Sequence, residues 1–138
     1  MGMDRSENMR RIRSQDTGPE MVVRRLVHRL GYRCRLHRKD ISGKPDLVFP
    51  GRRKVIFIHG CFWHQHPGCR DGRLPKSNLA YWRPKLERNI ERDKAVLAQL
   101  IASGWDVLIL WECETENIEA MGKVLRDFLG GPRIAALA

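Results

Sequence analysis

The chain has 138 residues, enough for one domain to bury a core without disulfides, and its 26 Lys+Arg against 16 Asp+Glu give a formal net charge of +10 and a pI near 10.1. No apolar run approaches the roughly 20 residues of a membrane span, and the N-terminus lacks the apolar segment of a signal peptide, so a cytoplasmic protein with no membrane partner is expected. The excess charge is mostly arginine, suited to bidentate phosphate contact, so the expected partner is a polyanion, by default nucleic acid; a merely soluble basic protein is the alternative.

Residues 1–15 carry Arg5, Arg10, Arg11 and Arg13, with Met9 and Ile12 as their notable apolar residues. They read as a basic arm, either a short helix packed on the body or a segment that orders on DNA, while residues 16–138 read as a single domain. Thr17-Gly-Pro-Glu20 fits a capping box, with Glu20 reaching back to Thr17. It opens a helix whose apolar face is Met21, Val22, Leu26, Val27 and Leu30 and which Gly31 stops. Tyr32 to Leu36 alternates as a strand would, placing Tyr32, Cys34 and Leu36 on one face, with Cys34 a buried thiol.

A turn, Ser42 to Asp46, leads into Leu47-Val48-Phe49, and Pro50-Gly51 returns the chain into Val55 to Ile58, an apolar, β-branched run suited to a strand covered on both faces. Antiparallel neighbours bring the start of one strand beside the end of the next, so Asp46 and His59 should meet although thirteen positions separate them. Past a polar loop, Arg70 to Asn78, the residues Leu86, Ile90, Leu97, Leu100 and Ile101 mark a long amphipathic helix. Pro84 should lie in its first turn and Gly104 should end it. Trp105 to Trp111 is a second apolar strand with Glu112-Cys113 just beyond it, and Ile118 to Leu129 is a closing helix.

Cys61-x4-His66-x2-Cys69 puts three soft or borderline ligands within nine residues, and Cys113 at the end of a neighbouring strand can supply a fourth. In a reducing compartment such cysteines are thiols or metal ligands rather than a disulfide framework. A closed tetrahedral Cys3His set has no open position, so it points to a structural zinc; His64 is the rival to His66. With His66 on zinc, His59 and His64 are left beside Asp46. A carboxylate, two imidazoles and a basic surface suit Mg²⁺-assisted phosphodiester hydrolysis, with oxygen ligands for the metal and a base for water.

Phe57-Ile-His-Gly-Cys-Phe-Trp-His64, together with Gly43-Lys-Pro-Asp46, Asn89-Ile-Glu-Arg-Asp93 and Gly104 to Cys113, closely resembles the very short patch repair (Vsr) endonucleases, and the likeness covers nearly the whole chain. The resemblance implies an α/β fold of the restriction-endonuclease kind (PD-(D/E)xK-related), a mixed sheet flanked by helices with a structural zinc. It implies an enzyme that nicks one strand 5′ of the thymine in T:G mismatches left by deamination of 5-methylcytosine. By position, Asp46 and the backbone carbonyl of Ile58 would hold Mg²⁺, and zinc would fall on Cys61, His66, Cys69 and Cys113. His64 matches the general base with Asp93 holding its ring. His59 matches the second catalytic histidine, and Glu20 an acid near the active site.

Phe62, Trp63 and Trp82 match aromatics that wedge into DNA beside the mismatch, although core packing is the plain reading of adjacent aromatics. Met9, Arg10 and Arg11 are expected on DNA as well. Isoleucine occupies position 58, where family members can have threonine; Gln65 stands where a family histidine can stand and His66-Pro-Gly-Cys69 holds an extra residue, so the loop around zinc departs from the family pattern. The expected partner is double-stranded DNA with a T:G mismatch, with functional links to a cytosine-5 DNA methyltransferase and to mismatch-repair proteins, bound by a monomer at the bacterial nucleoid. Two alternatives are a zinc-stapled basic DNA-binding module without catalysis and a restriction-type nuclease that cuts both strands.

Overall fold

Leu47–Phe49 and Val55–Phe57 bury every residue, which an apolar run achieves only in a sheet covered on both faces. In the computed structural model, which describes residues 17–130, this sheet has four strands: β1 (Arg35–Leu36), β2 (Leu47–Phe49), β3 (Lys54–His59) and β4 (Asp106–Trp111). They lie in the order β1-β2-β3-β4, the first three antiparallel and β4 parallel to β3. A parallel pair requires a long crossover, which α2 (Leu79–Ala102) provides. Helices α1 (Gly18–Arg29) and α3 (Ile118–Leu129) complete the layers.

Alternation along the strands divides the core in two. Leu47, Phe49, Ile56 and Leu110 pack with Val23, Leu26 and Val27 of α1 and Met121, Leu125 and Leu129 of α3. Val48, Val55 and Phe57 face the other way, onto Leu100 and Val96 of α2. Since side chains two apart share a face, Asp46 (with Val48) and His59 (with Val55 and Phe57) belong to the α2 side. The same parity puts Trp111 there, paired with His59 in register. The site is therefore prepared by the strand periodicity itself. Among the described residues no helix is long and apolar enough to cross a membrane.

Several local expectations are corrected. The strand expected over Tyr32 to Leu36 is only two residues long and both are exposed; Tyr32 is instead buried, its hydroxyl donating to the Gly130 carbonyl, and His37 at φ 51° turns the chain away. Pro84 is not in the first turn: α2 starts five residues earlier, at Leu79, after Asn78. Trp82, buried in the first turn against Phe62, anchors that extension, and the proline forfeits only one backbone hydrogen bond, to the exposed Ala80. Ile101 points to solvent at 59% exposure. On α1, Val23 rather than Val22 joins Val27 in the core. Thr17 does cap the helix, accepting from the Glu20 amide at 3.3 Å, but the Glu20 carboxylate turns inward instead of reaching back. The arm over residues 1–15, with Met9, Arg10 and Arg11, lies outside the described residues.

Gly43 shows how tightly the turn before β2 is pressed on α2. It sits at φ 77°, and a Cβ there would lie 2.3 Å from Cγ1 of Val96. Gly43→Ala should destabilise the fold by about 1–3 kcal/mol through overpacking, with a further penalty from the left-handed backbone. A urea midpoint unchanged from the wild type would contradict this.

Candidate active site

The turn Gly43–Asp46, the end of β3 and the middle of α2 enclose a cleft of about 270 Å³ lined by Asp46, Ile58, His59, His64 and Asp93. Just past β3 the chain coils tightly, with the amides of His64 and His66 donating to the carbonyls of Gly60 and Cys61. Asn89 of α2 clamps this coil through its amide, which donates to the Trp63 carbonyl at 3.1 Å. His64 is thereby delivered to Asp93, whose Oδ2 lies 2.6 Å from its Nδ1. With Nδ1 held as the donor, Nε2 is left as the acceptor, the tautomer a general base needs.

His59 stacks on His64 in near-parallel fashion, 3.7 Å between ring centres, and meets the edge of Trp111. Only 7% of it is exposed, and its Nδ1 is the one buried side-chain polar atom without a hydrogen-bond partner among the described residues. Burial, reinforced by His64, lowers its pKa to about 4, so the ring is neutral at physiological pH.

Asp46 Oδ2 accepts from the Ile58 amide at 2.7 Å. A strand residue's N–H and C=O point toward the same neighbour, so the Ile58 carbonyl faces the side that Asp46 occupies. Glu20, 2% exposed, lies close enough for its charge to act on Asp46, and is itself gripped by His37 Nε2 at 2.7 Å and Arg24 Nη1 at 3.4 Å. Burial first, then Glu20, raises the Asp46 pKa from 3.8 to about 6, against the Ile58 hydrogen bond and His37. Two carboxylates and a carbonyl gathered where negative charge is costly fit a hard divalent cation.

The sulfur–histidine group is a separate unit. The ligand atoms of Cys61, His66, Cys69 and Cys113 all lie within 4.8 Å of one another, with His66 Nδ1 3.7 Å from Cys61 Sγ and 3.5 Å from Cys113 Sγ. A tetrahedral zinc with ordinary bond lengths separates a sulfur and a nitrogen ligand by about 3.6 Å. The donor set therefore fits zinc with His66, and His64 is directed to Asp93 instead. Burial pushes the Cys61 thiol up to about 12, so a thiolate there calls for a cation.

The aromatics form a third cluster. Phe62 and Trp82 are buried at 5% and 2% exposure with Leu86, and Trp63 is half-buried against them in edge-to-face contacts. Trp63 is thus the accessible member, with Lys85 over its ring. Reading the residues alone missed His37, Gly43 and Asn89 as supports of the site. A lone histidine in a polar stretch carries no signal, whereas Gly43 and Asn89 stood within stretches already singled out.

A family model described as DNA mismatch endonuclease Vsr matches residues 2–70. The type II nicking enzyme V.XorIIP of Xanthomonas oryzae pv. oryzae is 54% identical over 121 residues, 88% of either chain. The type II nicking enzyme V.NmeAIP of Neisseria meningitidis serogroup A is 42% identical over 82% of this chain and 80% of its own. The DNA mismatch endonuclease Vsr of Escherichia coli K12 is 36% identical over 96% of this chain and 87% of its own. With half its length matched by the family model and such relatives aligned along most of the rest, the chain belongs to the DNA mismatch endonuclease Vsr family and is a DNA endonuclease.

Proposed function

We propose that this endonuclease nicks one strand of double-stranded DNA 5′ of the thymine in a T:G mismatch. The observation that carries the hydrolytic part is the His64–Asp93 pair facing Asp46 across one cleft, an arrangement that mere DNA binding does not require. In this reading His64 Nε2 takes a proton from the attacking water, Asp93 holds the ring and steadies the imidazolium, and neutral His59 packs the ring in place. Asp46 and the Ile58 carbonyl would hold Mg²⁺, with Glu20 beside them; when bound, the ion supplies positive charge for the phosphate in the transition state. Cys61, His66, Cys69 and Cys113 would hold zinc as a staple. That two relatives are nicking enzymes by name favours single-strand cutting over the restriction-type alternative.

Mismatch choice is assigned to the aromatic cluster. Unstacking a base step costs a few kcal/mol and less at a mismatch, while base–aromatic contact returns ~1–3 kcal/mol per base. Trp63 is half-buried and can reach a base step with the least rearrangement, whereas Phe62 and Trp82 enter only if their cluster opens. Paired duplexes carrying T:G or T:A at one position test this. Wild type should nick only the first, and Trp63→Ala should lose ~1–3 kcal/mol of T:G binding while T:A binding changes much less. Equal weakening on both duplexes would make Trp63 a general grip and remove it from mismatch selection.

A further inference from the structure

We infer that Arg92 and Lys44 clamp the scissile phosphate from opposite walls of the cleft. The inference rests on reading the cleft as a nuclease site and adds the groups that hold the substrate's reacting anion. The cleft lining contains two carboxylates, Asp46 and Asp93, and Lys44 and Arg92 are its two permanent cations. A phosphodiester entering beside those carboxylates is repelled unless cations face it, and hydrolysis adds further negative charge to the same oxygens.

The two cations sit on separate, well-fixed supports. Lys44 is two residues before Asp46 on the turn, and Arg92 immediately precedes Asp93 on α2. The walls touch where Gly43 lies against Val96 and where Ser42 Oγ donates to Gln99 Oε1 at 2.9 Å, so the spacing across the cleft is set by packing. Among the described residues neither cation has an acidic partner. Other cations outside the cleft are engaged: Lys54 pairs with Asp106, Arg53 covers Trp105 and Lys85 lies over Trp63 and Tyr81.

Lys44 also occupies a backbone conformation that a turn would ordinarily give to glycine or asparagine. Its φ is 52°, held by its amide donating to the Ile41 carbonyl at 3.0 Å. A long cationic side chain at such a position, beside the proposed metal-binding aspartate, is strain placed where function needs a charge. Arginine's planar fork can meet two phosphate oxygens at once, whereas the lysine ammonium acts as a point charge.

The test uses the full chain, a T:G duplex, and the same duplex with one neutral methylphosphonate at the nicking position. At saturating T:G duplex, Arg92→Ala should cut the single-turnover nicking rate roughly 10²–10³-fold, with Arg92→Lys restoring part of it. Lys44→Asn, which keeps the left-handed turn, should lower the rate in the same direction. Both side chains are exposed, so the variants should fold as wild type does. Wild type should bind the methylphosphonate duplex more weakly than the phosphate duplex, and Arg92→Ala should no longer distinguish them. If Arg92→Ala nicks at the wild-type rate once saturated, or loses affinity equally for both duplexes, the clamp is overturned while the proposed activity stands. A wild-type chain that leaves the T:G duplex intact overturns the activity and the clamp with it.

Discussion

His64→Ala should lower the nicking rate on a T:G duplex by roughly 10²–10⁴-fold, the usual contribution of a positioned general base, while leaving duplex binding close to wild type. Asp93→Asn should reproduce much of this loss, because an amide at that position can present its NH₂ to the imidazole and disturb the tautomer that the 2.6 Å contact enforces. Asp46→Asn should be equally inactive for a different reason, the loss of a charged oxygen ligand. Its stability separates a dead site from an unfolded protein. Asp46 titrates in the fold near 6 against 3.8 unperturbed, so its stabilising contribution is complete below about pH 3.8 and is lost as pH rises through 6. Asp46→Asn should therefore raise the urea midpoint at pH 7.5 without added Mg²⁺, with the gain shrinking toward pH 4. Nicking by His64→Ala at the wild-type rate would remove it as the base, and a destabilised Asp46→Asn would contradict the electrostatic account of the carboxylate cluster.

What was legible in the residues follows from where burial dominates. Leu47–Phe49 and Ile118–Leu129 begin and end where the apolar pattern says, because both are pressed into the core and nothing local competes. The meeting of Asp46 with the end of β3 followed from hairpin geometry alone, and strand parity then carries both onto the α2 side. Local rules failed where tertiary contacts outweighed them. The start of α2 is set by Trp82 in its aromatic cluster rather than by Pro84. Glu20 leaves its helix cap for His37 and the space beside Asp46 because a buried site recruits it. His37 itself was illegible, since its role depends on a left-handed turn that no residue in Leu36-His37-Arg38 announces. The resemblance assigns Phe62 and Trp82 to DNA, yet both are buried in the fold, so any entry into a base stack must be coupled to opening of that core.

Zinc removal should unfasten the coil after β3 and leave the rest of the fold. The proposed zinc ligands Cys61, His66, Cys69 and Cys113 would tie the coil after β3 to the turn after β4, and that coil carries His64, Phe62 and Trp63. The two cores on either face of the sheet share no residue with it. Structural zinc contributes about 10–16 kcal/mol of apparent binding free energy in isolated fingers, more than a loop this short could replace from its own packing. Cys113→Ser, or extraction of the metal, should therefore abolish nicking and shift the tryptophan fluorescence, while far-UV circular dichroism keeps most of its helical signal. Elemental analysis of the wild type should find about one zinc per chain. Gly72→Ala should act on the same unit by a different route, because a Cβ there would lie 2.4 Å from the His66 carbonyl oxygen and 2.9 Å from its amide nitrogen, forcing the histidine off its ligand position. It should lower zinc retention with every ligand still present. A zinc-free chain that folds and nicks normally would overturn the staple, and a Gly72→Ala chain with native zinc affinity would show that the loop reaches its geometry without the close approach seen at His66.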